Sequence, residues 1–437
     1  MRSMHRFRRW YTVPGEGIEP SRAEAHGFLR PARLPVPPSR RGPHSVRPSS
    51  GFSSVEARTI TRRSILAIAC ALCTACAGGH TSGRTAPVMK VAFFEDTSID
   101  EPYQHVLPAE DGLRLAILKE AGAPGSSMVE IAEFETKGDP ETAVLMARDV
   151  AADPTYVAAI AAPFWQEPAS VSRVFQEAGL PVLSLSTLGT PAGSGAGGLQ
   201  MVPPLQVQVS TLSSLITRTS PGGACLVTDD SAFGAEFGRE AGASLQGLVA
   251  LGAYWPDEPQ AAVNALVGRI RADGCASILW GGFESGAAAL RLALSESGLA
   301  GVRMLGPDAI RTGAYLATSG SDGQGTVASC ACVDLSTSTS LPDQVFIHDY
   351  QSEFGTAPGM YSVEAWDAGG MILAALAGGE TRALVRSNLL EQHTYTGLAG
   401  TYSFDESGSL VRARSHVEMF TDDGGRWVTL ERRGSGG

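Results

Sequence analysis

Three observations predict an α/β protein built from two doubly wound, parallel-sheet lobes. Short runs rich in Val, Ile and Phe alternate with segments whose apolar residues recur at helical spacing. The alternation occurs twice, once on each side of Pro203-Pro204, and strand–helix repetition of this kind implies parallel strands with helices on both faces. Of the 437 residues, 43% are apolar and 18% charged, a composition that supports sizeable cores and is too apolar for general disorder.

The first series opens with a strand at 88–94 and a helix at 108–121, followed by a strand at 128–135. Asp139 then precedes Pro140, the pattern of an N-cap and a first helical position, and Val144, Ala147, Val150 and Ala151 share one face of the helix it starts. A strand at 157–161, a helix at 168–178 and a strand at 182–186 complete the series. The second series runs helix 207–218, strand 224–228, helix 233–245, strand 248–254, helix 260–273, strand 277–280, helix 285–297 and strand 302–305. The remainder, 326–430, holds one strand, two good helices at 342–354 and 363–377, and a final group of short strands. It is too short and irregular for a third α/β domain and is expected to lend pieces to both lobes.

The chain before 88 reads differently. Residues 1–63 hold 13 Arg and 4 Glu, a net charge of +9, with no apolar periodicity. This segment is expected to be a disordered leader, and the stretch Val13–Arg41 resembles the conceptual translation of a tRNA gene, as when a start site is assigned too far upstream. Residues 64–76 carry a secretion signal: Arg62-Arg63 supplies a charged start that suits either a twin-arginine or an ordinary export signal, and Ile65–Ala75 is an eleven-residue apolar run, too short to span a bilayer. The run ends in Cys73-Thr74-Ala75-Cys76-Ala77-Gly78-Gly79, which resembles a bacterial lipobox and makes Cys76 the expected lipidation site. Residues 77–87 read as a tether. No segment reaches 18 continuous apolar residues, so no transmembrane helix is expected.

From 64 onward the net charge is −20. An acidic body without a basic stripe argues against nucleic acid as a partner. Cys70, Cys73 and Cys76 lie inside the signal, so neither a metal site nor a cofactor is expected there. Cys225, Cys275, Cys330 and Cys332 remain in the body, where export favours disulfides.

The body resembles the periplasmic binding proteins of type I, in particular the leucine/isoleucine/valine-binding branch that serves ABC transporters. The residues that carry the resemblance are KVAFFED at 90–96, GDPETAVLMARDV at 138–150, QEPASVSRVFQEAGLPVLSLST at 166–187, CLVTDDSAFGAEFGRE at 225–240, ILWGGFESGAAALRLALSESGL at 278–299 and LGPDAI at 305–310, in family order. The resemblance implies two lobes joined by a three-crossing hinge, with lobe 1 formed from 88–205 plus 333–385 and lobe 2 from 206–332 plus 386–430. It makes the first and third strands of a lobe neighbours. On that topology Cys225 and Cys275 come side by side and are expected to form a disulfide; the pairing of Cys330 and Cys332 stays open.

In open α/β sheets ligands bind beyond the carboxyl ends of the strands. Phe164 and Trp165, Ser186 and Thr187, Asp230 and Phe233, Phe283, and Asp308 follow strands in this way, and Tyr361 joins them by the resemblance. The resemblance gives Asp308 the ligand's ammonium group, Ser186 and Thr187 its α-carboxylate, and Phe233, Phe283 and Tyr361 the cleft walls. Capping of the following helix is the other reading of Asp308. The sequence departs from the family pattern at Phe164-Trp165-Gln166, where small hydroxyl residues are usual, and at Phe233 and Phe283, where Tyr is common.

The function implied is an extracytoplasmic, lipid-anchored solute receptor of an ABC importer. It would hold an amino acid or related small molecule between its lobes and present it to permease and ATPase subunits. A receptor of the same fold that reports ligand to a signalling partner is the alternative. An enzyme is disfavoured: GxxxxGK[ST], HExxH and GxSxG are absent, and the GSGAGG at 193–198 runs into Leu199–Pro204 rather than a helix.

Overall fold

The computed structural model describes residues 88–96, 106–120, 128–166, 168–188, 198–220, 223–245, 249–253, 260–392, 394–411 and 417–430. The leader, the signal segment, the tether and Cys76 lie outside the described residues, as do Gly193–Gly197.

The first lobe runs β1 (Met89–Glu95), α1 (Val106–Glu120), β2 (Val129–Glu135), α2 (Pro140–Ala152), β3 (Tyr156–Ala161), α3 (Ala169–Ala178), β4 (Val182–Ser184) and β5 (Gly198–Gln200). The second runs α4 (Leu205–Thr219), β6 (Ala224–Thr228), α5 (Ala232–Ser244), β7 (Val249–Ala253), α6 (Gln260–Ala272), β8 (Ser277–Gly281), α7 (Glu284–Glu296), β9 (Arg303–Gly306), α8 (Gly313–Ser319) and β10 (Val327–Cys330). Then follow α9 (Leu341–Phe354), α10 (Ser362–Ala377), α11 (Arg382–Glu391), β11 (Thr394–Thr396), β12 (Thr401–Ser403), β13 (Glu418–Asp422) and β14 (Trp427–Thr429).

The first sheet has the order β2-β1-β3-β4-β5, all parallel. The second has the order β14-β13-β10-β9-β8-β6-β7. Its strands β6 to β10 are parallel, and β13 and β14 run antiparallel beside β10. Both sheets therefore repeat one doubly wound order, in which the chain reverses direction between the first and third strands. Strand burial follows from cover on both faces: β3 and β8 are buried almost throughout.

Local signals act as the sequence suggests at α2. Asp139 accepts from the Glu141 N–H at 3.2 Å, and Pro140 takes the first turn. The helices α1 and α10 approach so closely that a Cβ on Gly112 would lie 2.1 Å from the Ser362 carbonyl oxygen. Two elements differ from expectation. β5 forms directly after the glycine-rich stretch, and α11 is a third helix of the C-terminal region. The expected boundary at 385/386 falls inside α11, which packs against α10 and β3. Among the described residues no helix is long and apolar enough to cross a membrane.

Cys225 and Cys275 are bonded, with Cα atoms 5.7 Å apart, because β6 and β8 are adjacent and Ala224 is in register with Ser277. Cys330 and Cys332 are bonded as well, with Cα atoms 5.0 Å apart. Alkylation of unreduced, denatured protein beginning at Gly83 should label no cysteine. Labelling of all four would rule out both bonds.

The chain passes from β10 to α9 through 331–340, and carboxylates from both lobes hold this crossing. Glu364 of α10 accepts from the Val333 N–H at 2.7 Å, Glu418 of β13 accepts from the Asp334 N–H at 3.2 Å, and the Arg311 guanidinium pairs with Asp334. The second oxygen of Glu364 has no hydrogen-bond partner, and full burial pushes its pKa up to about 8. Burial likewise raises Asp367 to about 6 and Glu95 and Glu110 to about 7. Each group binds its proton more tightly folded than unfolded, so the folded state holds more protons between about pH 5 and pH 8 and loses stability as pH rises through that window. The melting temperature should fall from pH 5 to pH 8, and Glu364→Gln should flatten the slope. A melting temperature that rises across the window would contradict the assignment.

Candidate functional site

The carboxyl ends of both sheets meet. A cavity of about 150 Å³ lies there, lined from the first lobe by Asp96 after β1, Thr136 and Asp139 after β2, Phe164, Trp165 and Gln166 after β3, and Leu188 after β4. Ser231, Ala232 and Phe233 after β6 and Phe283 after β8 line it from the second lobe. It therefore sits beside the reversal point of each sheet, where such folds open a crevice.

The walls are positioned by short polar ties. The Thr136 hydroxyl donates to the Glu95 carbonyl at 2.8 Å and accepts from the Trp165 indole N–H at 3.1 Å, which joins the ends of β1, β2 and β3. Trp165 rests on Phe94, with centroids 5.3 Å apart. In the second lobe, buried Asp229 accepts from the Phe283 N–H at 2.7 Å and from the Ser231 hydroxyl. Desolvation holds its carboxyl above the ordinary range. Ser231 in turn caps α5 through the Gly234 N–H at 2.9 Å. Gly282, at φ 154°, lets the backbone pass here: a Cβ would meet Asp229 Oδ2 at 2.2 Å.

Phe164 has φ 61°, a left-handed conformation that costs a non-glycine residue about 1–2 kcal/mol. Its ring packs on Phe233 at 5.2 Å, Phe283 at 5.7 Å and Tyr361 at 6.2 Å, so one aromatic cluster crosses from lobe to lobe. Tyr361 is also left-handed, at φ 64°. Strain kept at Phe164, on the cavity wall, is the kind that a binding site retains.

Of the residues expected from the sequence, Phe164, Trp165, Phe233 and Phe283 line the cavity. Ser186, Thr187, Asp308 and Tyr361 are buried and do not line it; Asp230 is exposed. The Ser186 hydroxyl accepts from the Leu188 N–H at 3.1 Å, and the Ser186 carbonyl accepts from the Gln200 amide at 2.7 Å. The Thr187 hydroxyl has no hydrogen-bond partner. Asp308 is bound by the chain's own donors: the Tyr361 phenol, the Gln208 amide at 2.8 Å and the Ala309 N–H at 3.0 Å. Burial and the Asp308 charge hold Tyr361 protonated, as a donor must be. Asp308 lies in a short 3-10 turn, Asp308–Ile310, and Thr312 caps the following α8. Sequence reasoning passed over Asp96, Thr136, Ser231 and Asp229. Asp96, Thr136 and Asp229 directly follow strands, and the same rule that selected Phe164 reaches them.

A family profile described as periplasmic binding protein matches residues 90–422. The chain belongs to the periplasmic binding protein family. Members of this family bind solutes and are not enzymes. A search of the curated proteins finds no match. Among solved structures, the branched-chain amino acid transporter substrate-binding protein LivJ of Streptococcus pneumoniae, in complex with isoleucine, is 16% identical, with TM-score 0.65, covering 79% of this chain and 100% of that one. The leucine-binding protein LivK of Thermotoga maritima is 13% identical, with TM-score 0.64, covering 79% and 98%. A solute-binding protein of R. palustris in complex with benzoate is 15% identical, with TM-score 0.61, covering 79% and 96%. At these identities the likeness shows the type I fold of the family and leaves the ligand to be argued from this chain's own residues.

Proposed function

We propose that the protein is an extracytoplasmic solute receptor that closes on a small molecule between its lobes and delivers it to an ABC permease. The supporting observation is the cavity at the paired sheet ends, walled by side chains from both lobes. A ligand that touches both walls stabilises the closed arrangement over any open one, which is how binding shifts the population. Anchoring through Cys76 would keep the receptor at the outer face of the cytoplasmic membrane, within reach of the permease. Thermal-shift screening against amino acids, amides, amines and small carboxylates tests the reading. A ligand at a hundred times its Kd stabilises by about 2.7 kcal/mol. Absence of a shift with every class would end it.

A further inference from the structure

We infer that the protein carries its own latch: in solute-free molecules, Phe164 and Tyr361 of the first lobe hold the second lobe closed. The latch regulates the site proposed above and rests on the solute-receptor reading. Two separate contacts cross the cleft. The Phe164 ring packs edge-on against Phe233 at 5.2 Å and Phe283 at 5.7 Å, both in the second lobe. The Tyr361 phenol donates to the Asp308 carboxylate, which also accepts from the Gln208 amide at 2.8 Å. All six side chains are buried. A solute that bridges two lobes favours closure because it touches both only when they meet. Side chains that bridge the lobes act in the same way, and every molecule of the protein carries them.

Each contact is anchored within its own lobe. The Trp165 N–H donates to the Ala162 carbonyl at 3.2 Å and the Trp165 indole to Thr136 at 3.1 Å, which ties the turn carrying Phe164 to the ends of β2 and β3. Tyr361 directly precedes α10, where the Ser362 hydroxyl donates to the Gly359 carbonyl at 2.7 Å and the helix lies against α1. On the receiving side, Asp229 holds the Phe283 N–H at 2.7 Å, and Phe233 stands in the first turn of α5, which Ser231 caps. Phe164 and Tyr361 keep left-handed backbone, at φ 61° and 64°, a conformation that persists where surrounding contacts over-determine it. A latched receptor loads solute through its open fraction, so the latch raises the apparent Kd by the inverse of that fraction.

Small-angle X-ray scattering provides the test, on purified protein refolded from guanidinium to strip any bound solute. The samples are the wild type, Phe164→Gly, Tyr361→Phe and the double variant. Glycine removes the ring and adopts the left-handed backbone freely, and phenylalanine at 361 removes only the phenol oxygen. The wild-type profile should fit the closed lobes. Loss of the ring, or of the phenol, should lower the ratio of closed to open molecules about tenfold or more. The double variant should lose about a hundredfold and show a larger radius of gyration, with its circular dichroism unchanged. A wild-type profile that fits separated lobes overturns the inference, whether or not any variant folds, and leaves the solute-receptor reading intact. A folded double variant as compact as the wild type overturns it too, because other contacts then hold the lobes together.

Discussion

Asp308→Ala is expected to destabilise the protein by about 3–5 kcal/mol, because it removes the acceptor at the centre of a buried network. Asp308 is completely buried and receives the Tyr361 phenol from the first lobe and the Gln208 amide from α4. Gln208 in turn accepts from the Ser329 hydroxyl of β10 at 2.9 Å. Truncation leaves the phenol and the amide without their acceptor in a site that water does not reach, at about 1–3 kcal/mol for each orphaned donor. Asp308→Asn keeps the shape and one acceptor oxygen and should cost roughly half as much. Urea unfolding of the two variants checks this. Values within about 1 kcal/mol of the wild type for both would show that the network does not stabilise the lobe contact. The result bears on function as well. An acid committed to reading a ligand's ammonium group would affect affinity most and the free protein least, and the geometry predicts the reverse.

Arg382→Met should cost a similar amount, about 3–5 kcal/mol, through a different mechanism. The Arg382 guanidinium donates to five carbonyls: Tyr156 at 2.8 Å, Ala151 at 3.0 Å, Ala178 at 3.3 Å, Val150 at 3.2 Å and Asp153 at 2.6 Å. Four of these lie in or just beyond the last turns of α2 and α3, where carbonyls have no helical partner and the helix dipole favours a cation. One side chain thus ties the carboxyl ends of two helices to the start of β3. Methionine retains the apolar stem and removes every donor. Lysine retains the charge without the planar fork and should recover only part of the loss. Thermal unfolding of both variants would measure it, and an Arg382→Met protein as stable as the wild type would refute the clamp.

Why Arg382 escapes a reading of the chain is instructive. Arg382–Glu391 is half apolar, but Arg at a helix start looks like a solvated residue. Its partners are backbone carbonyls some two hundred residues earlier, and carbonyls leave no mark in a sequence. The same holds for β5, three residues whose strand character comes from pairing with β4. By contrast, α2 was legible because Asp139 and Pro140 act on their own next turn, and the two strand–helix series were legible because burial on both faces selects Val, Ile, Ala and Phe in unbroken runs.

The candidate site divides along the same line. That Phe164, Trp165, Phe233 and Phe283 should meet followed from one rule, namely that residues after parallel strands crowd the carboxyl edge. Asp308, read as the acid for a ligand's ammonium group or as a helix cap, and Tyr361, read as a cleft wall, were also placed at the cleft; in the fold the phenol donates to the carboxylate.

The chain's own order of residues thus determined two parallel sheets, their reversal points and the aromatic character of the edges that face each other, because each of these depends on local periodicity and on which strand a residue follows. Only the folded molecule decided which polar groups remain available to a solute. A hydrogen bond between residues 53 positions apart satisfies a buried carboxylate as fully as any ligand would, and distance in space, to which linear spacing is blind, selects between the two.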